Sequence, residues 1–442
     1  MALYAGASHA AETVTLSLAP EQRVCESFLG FGNEWDANGY LSYPLTEAQH
    51  AQEAARVRWM RPGIMRVMVL TRWLYDNGTY TWDSPGMQQL YRSLDLLQEL
   101  GVTVFLTDWG GEKDWTRGPG IKSVEDPVYA EAMGTYLEYL VRTKGYTCIR
   151  YFICTNEPNW EVNDWARWKQ GLLNVEAAIK QRGLNTQITL AGSDTSQAAE
   201  DEPWHRLAVD ELQDVLGVYD IHRYASVDEV RSGTMEAYWR KQRDYAIAHD
   251  PKAASKPFLV GEAGMWTQSG NHAVSDAIDS YTYGVDMADY AVQAVSAGWT
   301  GVSAWMLSDN GHRNFAWGLW RNQEQGMTLR PWFYPWSLLC RYVRPGAAVY
   351  RVNAPENMRM LLAVSEGDWS LVCVNRGAAR EVAVQAPEGL SRPVQHFRYV
   401  DGAQGSNEAG LPEPEERITL PAGGTLPISC AAESVSIFTT LN

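Results

Sequence analysis

Eight short apolar runs, each followed by a stretch with helical spacing, fill the first three quarters of this 442-residue chain. The runs fall at 28–33, 64–69, 102–107, 148–155, 187–191, 218–222, 257–260 and 301–307. Several are continuously apolar, as strands buried on both faces of a parallel sheet must be. Between them, Met87, Leu90, Leu94 and Leu97 step by three and four, and so do Ile278, Tyr281, Val285, Ala288, Val292 and Val295. Each set predicts a helix with one apolar face turned to a sheet. Gly101, Gly183 and Gly298 stand just before the third, fifth and eighth runs, where helix C-caps belong. Eight strand–helix units predict an α/β fold, the (β/α)8 TIM barrel. The rival is a doubly wound open sheet, which would carry a glycine-rich phosphate loop after its first strand. Gly30-Phe31-Gly32-Asn33-Glu34-Trp35 lacks the third glycine of such a loop.

The pattern changes at Arg344-Pro345-Gly346. Short alternating runs follow at 358–364, 369–374, 381–384, 394–399, 417–420 and 434–440, with no helix-length segment among them. They predict a C-terminal all-β sandwich domain. Residues 13–18 alternate in the same way and are expected to cross over and add a strand to it. The predicted division is 1–22 for that N-terminal strand, 23–344 for the barrel and 345–442 for the sandwich. Sharing a strand implies a fixed interface between the modules rather than a flexible linker.

Charge narrows the partners. With 37 Lys+Arg against 53 Asp+Glu the chain carries −16. That argues against nucleic acid, which needs a basic face to displace counterions, and against anionic membranes. No run of 18 apolar residues is present, so no membrane span is expected. The start, Met1-Ala2-Leu3-Tyr4-Ala5-Gly6, lacks a basic segment followed by an unbroken apolar one, so the expectation is cytoplasmic, or secreted if a leader has been removed. Cys25, Cys148, Cys154, Cys340, Cys373 and Cys430 form no C-x-x-C pair, which leaves zinc and redox motifs unsupported. Cys148 and Cys154 flank one strand; six extended residues span about 20 Å, beyond disulfide reach. Buried free thiols are expected. The 19 Trp and 22 Tyr against 9 Phe point to amphipathic aromatic surface, as in a sugar cleft, or to a large core that uses Trp.

A barrel of this kind builds its active site where the C-terminal ends of the strands meet their loops. Thr155-Asn156-Glu157-Pro158-Asn159 follows the fourth strand, and Gly261-Glu262-Ala263-Gly264 follows the seventh. Two carboxylates therefore face each other across one barrel. Glycoside hydrolysis requires such a pair: one protonated to help the leaving oxygen depart, the other ionised to attack the anomeric carbon or activate water. Other strand ends carry Asn33, Glu34, Trp35, Asp36, Arg66, Asp108, Trp109, Asp194, His222, Tyr224 and Trp305. The amides, carboxylates, Arg and His suit hydroxyl groups, and Trp or Tyr suits the C–H face of a sugar. Trp160 and Trp266, and Asp309, Asn310 and His312 in the loop after the eighth strand, are further candidates. No cluster has metal-ligand spacing, and two-carboxylate chemistry needs neither metal nor cofactor.

These residues resemble clan A of the glycoside hydrolases, known for an Asn-Glu acid/base motif ending the fourth strand and a nucleophilic Glu ending the seventh. The resemblance implies Glu157 as acid/base, Asn156 as ligand of the hydroxyl beside the anomeric carbon, and Glu262 as nucleophile. It also implies Tyr224 in contact with the nucleophile and Trp305 as an aromatic platform. Within the clan the chain looks most like family 30. That likeness rests on Gly30-Phe31-Gly32, on Ile221-His222-Arg223-Tyr224 and on Arg341-Tyr342-Val343-Arg344-Pro345-Gly346-Ala347, together with the barrel-plus-sandwich layout. The first-strand motif departs from the family in continuing Asn33-Glu34-Trp35. Family 39, which shares Asn-Glu-Pro-Asn, is the alternative. The expected activity is a retaining β-glycoside hydrolase, a hydrolase of glycan breakdown, with a carbohydrate substrate. Arg66 and Tyr224 are expected to hold Glu262 low in pKa while Glu157 stays high. The competing readings are a carbohydrate-binding barrel without turnover, and an unrelated barrel enzyme such as an aldolase. The latter would want a strand-end lysine, and Lys256 instead precedes its strand.

Overall fold

The computed structural model describes residues 12–37, 39–196, 203–266, 277–310, 315–386, 393–419 and 424–442. It divides into two compact units, one of residues Ser27–Gly346 and one made of the chain up to Glu26 and from Ala347 onward.

The larger unit is a closed barrel of eight parallel strands in sequential order. They are Gly30–Asp36, Ile64–Val69, Thr103–Asp108, Ile149–Ile153, Thr189–Ser196, Leu216–Ala225, Phe258–Met265 and Gly301–Ala304. Helices intervene as the periodicity predicts. Helix Pro85–Leu100 starts on a Ser84 cap that accepts from Met87 N–H, and stops where Gly101 takes a left-handed φ of 69°. Met87, Leu90, Leu94 and Leu97 are all buried along it. Helix Tyr281–Ser296 differs from expectation. Ile278 precedes it, and it is buried on every side from Tyr283 to Ser296, polar residues included; Gln293 there donates to Asp289 and to the Val230 carbonyl. A helix sunk in the outer layer cannot be one-faced.

Several strands run further than their apolar stretches. The first, fifth, sixth and seventh continue through Asp36, Ser196, Ala225 and Met265, so Glu34, Asp194, Tyr224 and Glu262 lie inside strands rather than after them. Asp108 is likewise the last residue of the third strand. The eighth ends earlier, at Ala304, so Trp305 lies just beyond it. The reason is that the barrel interior has two storeys. Ile64, Phe105, Ile153, Ala191, Val218 and Leu259 form a buried apolar cluster low in the barrel. One side-chain repeat higher, the same strands present Arg66, Ser193 and Asp220, all fully buried. Polarity here marks a change of storey, not the end of a strand.

The smaller unit is a two-sheet sandwich. One sheet has three strands, Glu12–Thr15, Arg380–Gln385 and Thr425–Cys430, with the N-terminal strand parallel to its neighbour. The other has seven, from Glu416–Thr419 at one edge to Arg23–Cys25 at the other. Val14, Val382, Val384, Leu426 and Ile428 of the first share a core with Met360, Leu362, Trp369, Leu371 and Phe438 of the second. Arg23–Cys25 pairs with Ala348–Arg351 and so belongs with the sandwich, although the sequence places residue 23 in the barrel. All six cysteines are buried, and Cys148, Cys154, Cys340, Cys373 and Cys430 are free thiols. Among the described residues no helix is long and apolar enough to cross a membrane.

Candidate active site

Strand alternation alone would turn Glu262 toward the helices, since Leu259 faces inward and every second residue shares its side. A bulge corrects this. Ile221 pairs with Val260 and His222 with Glu262, so Gly261 is skipped in the register and Glu262 points into the barrel. Only glycine fits there, because a Cβ at residue 261 would lie 2.5 Å from Asp220 Oδ1. The fifth strand uses the same device. Asp220 pairs with Ser193 and Ile221 with Thr195, so Asp194 is skipped, in a left-handed conformation with φ 57°.

Arg66, on the second strand, organises what the bulges bring inward. Its Nη1 donates to Glu262 Oε1 at 2.8 Å, and its Nη2 donates to Asn156 Oδ1 and to Asp194 Oδ2, both at 2.8 Å. Because a guanidinium only donates, it fixes Asn156 with the amide oxygen toward Arg66 and the Nδ2 turned away. Tyr224 donates to Glu262 Oε2 at 2.8 Å. His222 lies between the two halves of the site. Its Nδ1 is 3.0 Å from Glu157 Oε1 and 3.6 Å from Glu262 Oε2, and its Nε2 is 2.9 Å from Asp194 Oδ1. Glu157, the residue before the short helix Pro158–Glu161, adopts φ 41°, a conformation that costs a non-glycine residue roughly 1–3 kcal/mol and that clusters at functional sites. Its side chain is 23% exposed against 6% for Glu262, so it is the more open of the pair. Oxygen atoms of Glu157 and Glu262 and a ring nitrogen of His222 all lie within 4.8 Å of one another.

The electrostatics follow from burial and neighbours. Burial alone would lower His222, but Asp194 and Glu262 outweigh it and raise the imidazole well above the ordinary histidine value. Burial would raise Asp194, but Arg66 and His222 hold it below the ordinary carboxylate range. Burial, then Asp194, push Asp220 well above the ordinary carboxylate range. Glu262 departs from expectation: burial raises it, and His222 and Arg66 do not fully reverse that. Both of its oxygens nevertheless accept hydrogen bonds, an arrangement that fits the ionised form. Glu157, His222 and Glu262 have a spacing that could hold a cation, yet Arg66 already occupies Glu262 with a fixed positive charge.

The remaining sequence candidates separate. Glu34 is buried in the same storey and its carboxyl is raised well above the ordinary value, by burial first and then by Asp36. Trp109 is half-buried, with its ring 5.3 Å from that of Trp115. Trp305 is buried, and its backbone N–H donates to Ala263 O beside Glu262. Two expectations are corrected. Asp108 is fully buried and accepts from Thr71, Tyr129 and the Gly110 N–H, so both its oxygens brace the loop after the third strand; burial raises it to about 7. Trp35 faces outward, donates to Tyr40 Oη at 2.9 Å, and lines a cavity between helices Glu47–Met60 and Pro85–Leu100. His312 lies outside the described residues.

No family model matches the chain, and no curated protein does. Solved structures do. A family 30 endoxylanase from Clostridium papyrosolvens superposes with a TM-score of 0.66 at 14% identity, covering 97% of this chain and 98% of that one. A monomeric β-xylosidase from Caulobacter crescentus gives 0.66 at 16%, covering 97% and 99%. A family 51 α-L-arabinofuranosidase from Bifidobacterium longum gives 0.65 at 14%, also covering 97% and 99%. The fold is that of these clan A glycoside hydrolases. Within this barrel, Asp194 and Asp220 are the charged groups that sequence reasoning weighed too lightly. The alternation Val218, Asp220, His222, Tyr224 was the available signal for the second; the bulge hid the first.

Proposed function

We propose that this protein is a retaining glycoside hydrolase acting on a β-linked glycan or its stereochemical equivalent, with Glu262 as nucleophile and Glu157 as acid/base. One observation carries the reading: oxygens of Glu157 and Glu262 approach within 4.8 Å across His222. Retaining enzymes hold their carboxyls about 5–5.5 Å apart, and inverting ones leave about 6.5–9.5 Å for a water. Glu262 attacks the anomeric carbon as the glycosidic oxygen leaves with a proton from Glu157. The glycosyl ester on Glu262 is then cleaved by a water whose proton passes to Glu157, which returns both glutamates to their starting states.

The neighbours of Glu157 and Glu262 fit these parts. With a proton on Nδ1, His222 donates to Glu157 Oε1, which leaves Oε2 to carry the transferred proton. Arg66 and Tyr224 each donate to one Glu262 oxygen, and so fix its orientation for attack. Asn156 keeps Nδ2 for a sugar hydroxyl, and Trp305 borders the nucleophile's strand. Xylan, β-xylosides and α-L-arabinofuranosides, the substrates of the enzymes that share the fold, are the first to try. In the test, Glu157→Gln stalls hydrolysis of glycosides with poor leaving groups, while activated aryl glycosides partly escape. NMR then reads the anomer formed first. A product of inverted configuration, or equal loss on both substrate types, ends this reading.

A further inference from the structure

Tryptophan is expensive to leave in water, because burying a large apolar side chain yields about 1.5–3 kcal/mol. Trp115 and Trp160 are nevertheless 43% and 62% exposed. Trp115 stands on the loop after the third barrel strand and Trp160 on the short helix Pro158–Glu161 after the fourth, at the strand ends that carry Glu157. Neither belongs to the carboxylate machinery, so an exposed aromatic pair beside it points to a ligand.

Trp160 lies one turn from Glu157. Its backbone N–H donates to the Glu157 carbonyl at 2.8 Å. The Trp115 loop is braced rather than loose. Arg72 Nη1 donates to the Trp115 carbonyl at 2.9 Å, Thr116 Oγ1 donates to Gly110 O at 2.7 Å, and the ring packs on Trp109. Lys113, two residues earlier, reaches Glu161 at 3.4 Å and draws this loop to the helix of Trp160. A general acid protonates the departing oxygen, so the group attached to that oxygen lies on the acid's side of the pocket.

We infer that Trp115 and Trp160 form a stacking subsite for the sugar on the leaving-group side of the cleaved bond, so that the substrate continues past that bond as a pyranose with equatorial hydroxyls. This rests on the two-glutamate reading. Equatorial hydroxyls leave a flat face of axial C–H groups to lie on an indole, and Lys113 and Glu161 offer a donor and acceptors to the ring's rim. A purely apolar leaving group would make no use of this polar rim.

The test compares leaving groups on one sugar. β-Glycosyl fluorides of xylose, glucose and galactose carry no leaving-group sugar; xylotriose, cellotriose and the corresponding octyl glycosides do or do not offer one. In W115A, W160A and the double variant, kcat/KM on the trisaccharide falls about tenfold or more relative to the fluoride of the same sugar, mostly through KM. W115F and W160F keep an aromatic plane and recover part of the loss, which separates stacking from misfolding. Transfer of the glycosyl group from the fluoride to a xylobiose or cellobiose acceptor drops in parallel. An unchanged trisaccharide-to-fluoride ratio, or a ratio that falls only for octyl glycosides, overturns the subsite while leaving the glutamates in place. A native protein that cleaves none of the fluorides overturns the two-glutamate reading and the subsite together.

Discussion

The two storeys of the barrel interior are built by the same strands and do opposite things. Ile64, Val218 and Leu259 fill the lower one, and two or three residues further on Arg66, Asp220 and Glu262 fill the upper. The lower storey is apolar and removes surface from water, which is where stability comes from. The upper gathers charges whose desolvation is costly and is offset only within one hydrogen-bonded set. Function is thus concentrated where the barrel contributes least to its own stability.

Substitutions can break this contrast. Glu262→Gln should lower kcat/KM about 10⁴-fold or more while leaving thermal stability equal or higher, because it removes a buried carboxyl whose pKa burial has raised. Leu259→Ala should do the reverse, costing about 2–5 kcal/mol in denaturant unfolding with kcat nearly intact below the transition. If the two variants lost stability alike, the storeys would not differ as described. Arg66→Met should lose on both counts, by about 3–5 kcal/mol, since it strands Asp194 and Glu262 without their cation. Adding Asp194→Asn should restore part of the stability and none of the activity.

The pH dependence sharpens the contrast. Asp108 holds its proton to about 7 when folded, well above its unfolded value, so its share of stability declines as pH rises from about 4 to about 7, by on the order of 4 kcal/mol. Asp108→Asn should remove that slope from a series of urea melts. His222 shows the same sign of dependence, displaced to higher pH. Its pKa is raised by folding, so its contribution is complete below the unfolded value near 6.5 and fades only as pH climbs through the folded one. His222→Asn should abolish an alkaline loss of stability and leave the Asp108 slope in place.

Much of the fold was legible because periodicity reports burial. The eight parallel strands, the helix over Pro85–Leu100 and most of the sandwich strands follow their patterns. Thr425–Cys430 was missed because Pro427 reads as a strand breaker, yet it sits on the edge strand of its sheet, where a missing N–H costs little. Arg23–Cys25 is too short to show a period. At the site, Glu157, Glu262, Arg66, Tyr224 and His222 come together in one hydrogen-bonded cluster. Trp35 and Asp108 do not join it. Residue type and a place near a strand end singled both out, but side-chain direction and a bracing role in a loop depend on partners far away in the chain.

The skipped register position at Gly261 makes the seventh strand sensitive to arithmetic rather than to chemistry. If the bulge were ironed out with Gly261 still in place, the residues beyond it would turn onto the other side of the sheet, with every atom of Glu262 still present and pointing the wrong way. Lengths of loops around this barrel can drift over generations or be redesigned at will; between Leu259 and Glu262 the residue count and the bulge can change only together.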